Sequence, residues 1–460
     1  NALSLSLICP RGELGARSVK LSARLEDPMY SVSGIYNNPS KDWPGDWEGR
    51  TILAQTLLSQ STGREPSYLD EIIADLPCHL NRFGYLGEIM PEGYFNEQQM
   101  SGHSWLLRGL SEYYNFRHYE WVKKIIRDIV YNLFLPAKNH FRSYPVHPGQ
   151  RDSAGKESGN ITGIAGVWHI SSDTGCAFIP IDGISAAYEL LRENEVLELL
   201  KEMIRCFLDM DVSAVKAQTH ATLTASRGIL KVYDILGDRF YLEAVKKIFE
   251  LYRAEGMTAS YENCNWFGRP EWTEPCAVID SFIISMQLYM HTSDMSYIDL
   301  AQRIYYNGIC REQRPNGGFG CNTCATDGII RNHCYEAYWC CTMRGGEGLS
   351  RAVQYGYLVE GNNIIVPYLS SSAADIPVNG ETIHIEQTSD YPFEGQAFFI
   401  ISGVSSYNQI KILIYKPGCG EYHIESLSPE KSRINIRFDI PLISSKSESK
   451  YNNGSADMYY

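Results

Sequence analysis

The sequence has no long hydrophobic run and no run of lysine or arginine. No stretch approaches the ~18 consecutive apolar residues of a transmembrane helix, so no membrane span is expected. The formal net charge is −13 at pH 7. Without a basic stripe to follow phosphates, we expect no nucleic-acid partner. The chain begins with neither Met nor a basic segment, which is typical of a mature or trimmed N-terminus rather than a signal peptide. The compartment stays open, with the bacterial cytoplasm or periplasm expected.

A disulfide framework is also missing. The 13 cysteines make an odd count and do not follow the spacing of a small disulfide-bonded domain. Several lie in helical patterns, where a free thiol acts as a small buried apolar side chain: Cys78, Cys206 and Cys310. We therefore expect thiols rather than disulfides.

Helical periodicity fills the chain from about residue 45 to 355. Apolar residues recur three and four positions apart in a series of paired segments, which predicts helical hairpins. The first members of these pairs are DWEGRTILAQTLLSQSTG, SGHSWLLRGLSEYYNF, DGISAAYELL, QTHATLTASRGILKVYDILGD, EPCAVIDSFIISMQLYMHTSD and CCTMRGGEGLSRAVQYGYL. Six hairpins make an (α/α)6 toroid, whose inner helices all begin at one rim. A helical solenoid is the alternative, but the repeat lengths are irregular and show no consensus.

Strand patterns replace the helical ones after about residue 356. Apolar and polar residues alternate between turn signals, which predicts an antiparallel β-sandwich over 356–460. The stretch ELGARSVKLSARL alternates in a similar way, so we expect residues 1–35 to form a β segment that packs on this sheet. The predicted fold class is α+β with several domains: the β segment, a toroidal catalytic domain over 36–355, and the sandwich.

The chemistry centres on the adjacent cysteines Cys340 and Cys341 and on an earlier Glu274-Pro275-Cys276 triplet. Three thiols and a carboxylate make a complete first shell for tetrahedral Zn²⁺. Directly adjacent cysteines fit a structural zinc knuckle poorly, so we expect this pair to present one sulfur to a substrate. The alternative is a zinc ribbon in which Cys321 and Cys324 join the pair, although the second knuckle lacks its two intervening residues.

These residues resemble a known family. Glu274-x-Cys276, the Cys340-Cys341 pair and the following GGEGLSRAVQYGYLVEGNNIIVPYLSSSA are similar to the zinc-dependent β-L-arabinofuranosidases of glycoside hydrolase family 127. The resemblance spans residues 40–375. It implies a toroid followed by β-sandwich material, zinc bound by Glu274, Cys276, Cys340 and Cys341, and Cys340 as the nucleophile of a retaining reaction on a terminal sugar of a plant glycan.

The resemblance also implies an acid/base glutamate and a sugar pocket. Glu262 stands where the family places its acid/base, and Glu271 is the second choice. His103, His220 and Tyr306 match positions that line the sugar pocket. Gln99 and His169 are further candidates for substrate contacts.

Two departures leave the sugar open. Thr342-Met343-Arg344 follows the cysteine pair where the family has Pro-Pro-Asn, and Thr258-Ala259-Ser260 replaces a Thr-Gly-Gly turn. Arg344 could bind a carboxylate, which makes an acidic furanose such as the aceric acid of pectin an alternative substrate. It could equally form a salt bridge to Glu347.

Other classes of function stay open as well. A different (α/α)6 carbohydrate enzyme, a lyase or an epimerase, would need no metal thiolates. A non-catalytic glycan-binding protein with a structural zinc is a further alternative. A homodimer is compatible with the sequence.

Overall fold

The computed structural model describes residues 1–37, 42–151, 158–269, 272–324, 330–405, 409–440, 444–448 and 455–459. For 324, 330–334, 444–448 and 455–459 it describes the backbone alone. The helices are α1 Gly12–Arg24, α2 Val32–Tyr36, α3 Asp46–Thr62, α4 Leu69–His79, α5 Glu97–Arg117, α6 Glu120–Ile129, α7 Pro180–Leu191, α8 Asn194–Leu208, α9 Thr219–Leu236, α10 Arg239–Glu255, α11 Pro275–Thr292, α12 Ser296–Arg303, α13 Cys310–Glu312 and α14 Cys341–Gln354. Across the described ranges, no helix has the length and apolarity to cross a bilayer.

Six of these helices close into a ring. In order, α3, α5, α7, α9, α11 and α14 each pack against the next, and α14 packs back against α3. The outer layer consists of α4, α6, α8, α10 and α12, each against its preceding inner helix, and of α1 against α14 and α3. The predicted (α/α)6 toroid is therefore confirmed.

The buried residues of each helix show whether it lies in the inner or the outer layer of the toroid. In the inner helix α3 nearly every residue from Gly49 to Ser59 is buried, because neighbours surround it on all sides. The outer helix α6 buries one stripe only, formed by Val122, Ile125, Ile126 and Ile129. Glycine permits the closest approach between inner helices: a Cβ at Gly49 would overlap the backbone of Trp105 and Leu106 on α5.

We expect Gly49→Ala to lower the free energy of unfolding by about 2–3 kcal/mol, because α3 and α5 must separate to admit the methyl group. Urea unfolding followed by circular dichroism measures the change. Gly163→Ala is the control, since a Cβ there meets no atom within 4 Å. Equal stability of the two variants would contradict this explanation of the packing.

The N-terminal segment differs from the prediction. Residues 12–24 form the helix α1, not a strand, because Leu14, Ser18, Leu21 and Leu25 recur at helical spacing and face the core. Ile8–Pro10, here β1, joins one C-terminal sheet as an edge strand beside Ser372–Val378, and Ala2 forms an isolated antiparallel bridge to Leu358 of the other. Whether 1–35, 36–355 and 356–460 act as separate domains stays a prediction.

The strands after β1, in chain order, are β2 Phe95–Asn96, β3 Ile161–Ala165, β4 Trp168–Ser171, β5 Gly320–Cys324, β6 Ile330–Glu336, β7 Leu358–Glu360, β8 Asn363–Val366, β9 Ser372–Val378, β10 Glu381–Ser389, β11 Gln396–Ser402, β12 Lys411–Lys416, β13 Glu421–Ser426, β14 Arg433–Arg437, β15 Ser444–Glu448 and β16 Ser455–Tyr459.

Two sheets form the C-terminal sandwich. One sheet has the order β1-β9-β10-β11-β14 and is antiparallel, with Ile385 opposite Ala374 and Ile401. The other has the order β13-β12-β8-β7 and contains one parallel pair, β8 with β12. The predicted sandwich is confirmed, apart from that parallel pair.

Smaller sheets shape the rim of the toroid. β2, β3 and β4 form a three-stranded sheet near the start of α5. β5 and β6 form a hairpin that leads toward α14. These connections carry many of the polar groups described next.

Candidate functional site

The four predicted ligands meet at the starts of two neighbouring inner helices. Glu274 is the extended residue before α11, and Pro275 occupies the first helical position, where its missing N–H is not needed. Cys276 follows in the first turn. Cys340 is the non-helical residue before α14, and Cys341 is its first helical residue. Because α11 and α14 are adjacent in the ring, residues far apart in sequence converge.

The distances in this cluster suit one metal ion. The Cys276 sulfur lies 3.3 Å from that of Cys340 and 3.9 Å from that of Cys341, and the two adjacent sulfurs are 3.9 Å apart. Glu274 Oε1 lies 3.9 Å from the Cys340 sulfur. All four ligand atoms fall within 4.8 Å of one another. A zinc tetrahedron with Zn–S bonds of ~2.3 Å has S–S edges of ~3.8 Å, so the residues fit a zinc ion.

The electrostatics also favour a cation. Burial, followed by the neighbouring Cys276, raises the pKa of Glu274 well above its usual range. Four acidic groups this close cannot all ionise without a compensating positive charge. Hydrogen bonds from Cys276, then from Cys341, lower the pKa of Cys340 to about 6. Cys340 is also partly exposed while the other three ligands are buried.

Arg50 lies beside the cluster and was not singled out from the sequence. Its Nη1 donates to the Cys276 sulfur at 3.4 Å, and its Nε donates to Asp46 at 2.8 Å. The guanidinium stacks over the Trp105 ring at 4.1 Å. The only sequence signal is the i, i+4 spacing of Asp46 and Arg50, which is common on helices.

Hydrogen bonds connect Glu262 with the residues that hold Glu274 in place. Its Oε1 accepts a hydrogen bond of 2.7 Å from Asn322, whose backbone pairs with Thr273, directly before Glu274. The next residue, Asn263, accepts the Glu274 N–H at 2.7 Å. Burial raises the pKa of Glu262 to about 7, although Arg311 and the Asn322 hydrogen bond oppose the shift. A carboxyl group with that pKa can donate or accept a proton near neutrality. The second choice, Glu271, lies outside the described residues.

His220 lies in the first turn of α9 and stacks on Trp105, the ring over which Arg50 lies. Its Nδ1 lies 3.2 Å from Asp280, and its ring stacks on Trp105 at 5.7 Å. Its Nε2 is buried without a hydrogen-bond partner among the described residues. Asp280 fixes the orientation of the ring and leaves Nε2 available to a ligand.

His103 and Gln99 serve the fold instead of presenting free groups. The His103 Nε2 accepts the Leu86 N–H at 2.9 Å, and its Nδ1 donates to the Gln99 carbonyl at 2.8 Å. Burial lowers the pKa of His103 to about 4, so the ring is neutral. The Gln99 amide donates to the carbonyls of Leu86 and Glu88. The Leu86 N–H and the Gln99 carbonyl therefore occupy both ring nitrogens of His103, and the substrate contacts of His103 and Gln99 stay predictions.

Tyr306 and His169 contact residues outside the thiol cluster. The Tyr306 hydroxyl donates to the Leu369 carbonyl at 3.4 Å, and its ring meets Tyr391 of the C-terminal region edge-on. Those partners belong to the contact between the toroid and the sandwich. His169 is half-buried on β4, edge-on to the exposed Tyr94. Substrate contacts of these two residues stay predictions.

Arg344 lies in an ion network inside the ring. Of its two expected roles the structure shows the salt bridge: the fully buried guanidinium pairs with Glu347 and also with Asp280. Arg227 contacts the same two carboxylates, each at 2.6 Å. Despite burial, Arg344 and Arg227 hold the pKa of Asp280 well below its usual range. The salt bridge to Glu347 is present, and a contact of Arg344 with substrate stays a prediction.

The zinc-ribbon alternative is not supported by the cluster. Cys321 is buried next to Cys341, but it is not among the four groups that converge. The side chain of Cys324 lies outside the described part of the chain. The metal-competent group in the described part is Glu274, Cys276, Cys340 and Cys341.

Solved structures share this architecture. A GH127 β-arabinofuranosidase matches with a TM-score of 0.73 and 14% identity, over 100% of this chain and 84% of that one. A GH127 β-L-arabinofuranosidase from Geobacillus stearothermophilus T6 matches with a TM-score of 0.69 and 14% identity, over 98% and 85%. The chain has their fold. The resemblance suggested by the cysteine pair is thus confirmed at the level of the fold.

Other comparisons are weaker. The cellobiose 2-epimerase from Bacillus thermoamylovorans B4167 matches with a TM-score of 0.52 and 12% identity, over 74% of this chain and 97% of that one. No protein-family model and no curated protein matches the sequence.

Proposed function

We propose that this protein is a retaining exo-glycosidase that removes non-reducing terminal β-L-arabinofuranoside-like sugars from plant glycans. The observation that carries the proposal is the buried group of three thiols and one carboxylate at the rim of a toroid with the fold of GH127 enzymes. A carboxyl group with a pKa of about 7, Glu262, is linked to it through the hydrogen bonds of Asn322 with Glu262 and with Thr273. Retaining hydrolysis requires a nucleophile and an acid/base, and this site offers both.

Glu274, Cys276, Cys340 and Cys341 would hold a zinc ion. Bound zinc keeps the Cys340 sulfur ionised at neutral pH, and the thiolate is the nucleophilic form of cysteine. Arg50 adds a positive charge beside Cys276. The partial exposure of Cys340 leaves its sulfur open to the sugar.

Two displacements complete the reaction. In the first, the Cys340 sulfur attacks the anomeric carbon, the bond to the leaving oxygen breaks, and Glu262 transfers its proton to that oxygen. In the second, Glu262 takes a proton from water, the water oxygen attacks the same carbon, and the carbon–sulfur bond breaks. Two inversions give net retention, and both residues return to their starting state.

The ring nitrogen of His220 is the best candidate for a sugar contact. Asp280 at 3.2 Å holds the Nδ1 proton, so the buried Nε2 can accept a hydrogen bond from a sugar hydroxyl. An acidic furanose is the alternative substrate if Arg344 binds its carboxylate. In the structure Arg344 pairs with Asp280 and Glu347, which weakens that alternative. A neutral furanose therefore fits the site better than aceric acid does.

Covalent trapping tests the proposal. The protein is incubated with an epoxide inactivator shaped like β-L-arabinofuranose, then digested and analysed by mass spectrometry. We expect one adduct per chain, on Cys340. Labelling of a carboxylate instead, or no labelling of a protein that hydrolyses the sugar, would overturn the thiolate mechanism.

We expect about one zinc ion per chain in the purified protein. Cys276→Ser should release most of it and lower hydrolysis in proportion, because a buried hydroxyl replaces a thiolate ligand. Elemental analysis beside initial rates measures both. Cys78→Ser is the control, since Cys78 is an exposed thiol on α4. Full hydrolysis by a zinc-free protein would contradict the zinc-bound thiolate mechanism, and a zinc-free protein that does not hydrolyse the sugar would favour an epimerase or a lyase.

A further inference from the structure

Glu312 is a buried carboxyl group for which the proposed mechanism has no role. It ends the short helix α13, and its residue is fully inaccessible to solvent. Neither carboxylate oxygen accepts a hydrogen bond from a donor among the described residues. A buried carboxylate without donors costs several kcal/mol, so the group is stable only when it is protonated.

The helical segment Ile304–Ile309, which runs directly into α13, packs on Glu262. A Cβ at Gly308 would lie 3.9 Å from Glu262 Cγ and 3.1 Å from the Tyr261 carbonyl oxygen. Glu312 follows Gly308 by four residues in a continuous helical segment, which places it one turn further on the same face. α13 also packs against β5, the strand whose Asn322 binds Glu262.

The charges around the two carboxyl groups come from three elements. Arg311 and Arg314 act on Glu262, and Arg314, Cys321 of β5 and Cys276 of α11 act on Glu312. Burial, followed by the charge of Glu262, raises the pKa of Glu312 well above its usual range. Glu262 therefore ionises first, and Glu312 keeps its proton.

We propose that Glu312 is a positioning residue that stays protonated and donates its carboxyl hydrogen to Glu262. A neutral carboxyl group has one O–H donor, which needs an acceptor when it is buried. The Glu262 carboxylate is that acceptor once its own proton has gone to the leaving oxygen. The inference rests on the proposed function of Glu262, and the proton on Glu312 is never transferred in the reaction.

The Glu312 proton can be observed without substrate. We expect the infrared spectrum of the wild-type protein at pH 8 to contain a protonated carboxyl band that Glu312→Gln lacks. Identical spectra would overturn the proposal. The result does not depend on hydrolysis, so it stands apart from the test of the proposed function.

Kinetics of two neutral variants separate positioning from packing. Glu312→Gln keeps a hydrogen-bond donor, so its kcat/KM should stay within about threefold of wild type. Glu312→Met has a similar volume but no donor, so its kcat should fall about 10- to 100-fold. Loss of a donor to the charged form raises the pKa of Glu262, so the pH profile of Glu312→Met should move upward by about one unit. Equal losses in both variants with unmoved profiles would mean a packing role and would sink the proposal.

Discussion

Replacing Cys340 with serine should lower hydrolysis by about 10⁴- to 10⁶-fold, the size of loss seen when a catalytic nucleophile is removed. A serine hydroxyl ionises far less readily than a thiol, whereas the pKa of Cys340 is lowered to about 6 by its hydrogen bonds with Cys276 and Cys341. Initial rates with an aryl β-L-arabinofuranoside measure the effect. Metal content is determined on the same preparations.

A buried cysteine elsewhere provides the matched control. Cys206 lies on α8, and its sulfur donates to the Phe141 carbonyl at 3.1 Å, a bond that serine can also make. We expect Cys206→Ser to keep near wild-type activity. If Cys340→Ser retained more than a few per cent of the wild-type rate with its zinc in place, another group would have to be the nucleophile.

The toroid and the thiol cluster could be predicted because their signals are local. Each inner helix shows its own apolar periodicity, and closing six hairpins into a ring brings their starts to one rim. Glu274, Cys276 and the Cys340–Cys341 pair each stand at such a start. Once the ring is assumed, their convergence follows from topology alone.

The N-terminal helix was missed because its pattern supports two readings. In ELGARSVKLSARL, apolar residues alternate over a few positions, which favours a strand. The longer spacing of Leu14, Leu21 and Leu25 favours a helix. The toroid needs an outer helix beside α14, and that tertiary contact decides the outcome.

Roles that depend on the partners of a side chain were not predictable from the sequence. His103 has the position of a ligand-binding residue, but Leu86 and Gln99 occupy both of its ring nitrogens. Arg50 and Glu312 looked like ordinary helix residues, because the groups that give them significance lie more than 40 residues away in the chain. One sequence does not contain those pairings.

Glu262→Gln should lower hydrolysis of an unactivated arabinofuranoside by about 10²- to 10⁴-fold, the usual contribution of general acid–base catalysis. The amide keeps the Asn322 contact but can neither donate the proton nor activate water. A substrate with a good leaving group needs less protonation, so its first step should suffer less. Added azide, which attacks without a base, should then restore turnover and yield a glycosyl azide of retained configuration.

The pH dependence of Glu262 follows from its environment. Burial raises its pKa to about 7, against the opposing effect of Arg311, and the acid must be protonated when the leaving group departs. kcat/KM of the wild type should therefore fall as the pH rises above about 7. Glu271→Gln tests whether Glu262 is the acid/base. Glu271 is the second candidate for that role in the sequence, and it also precedes the Glu274-Pro275-Cys276 triplet. Loss of activity and of the alkaline limb in Glu271→Gln, with both unchanged in Glu262→Gln, would transfer the acid/base role to Glu271.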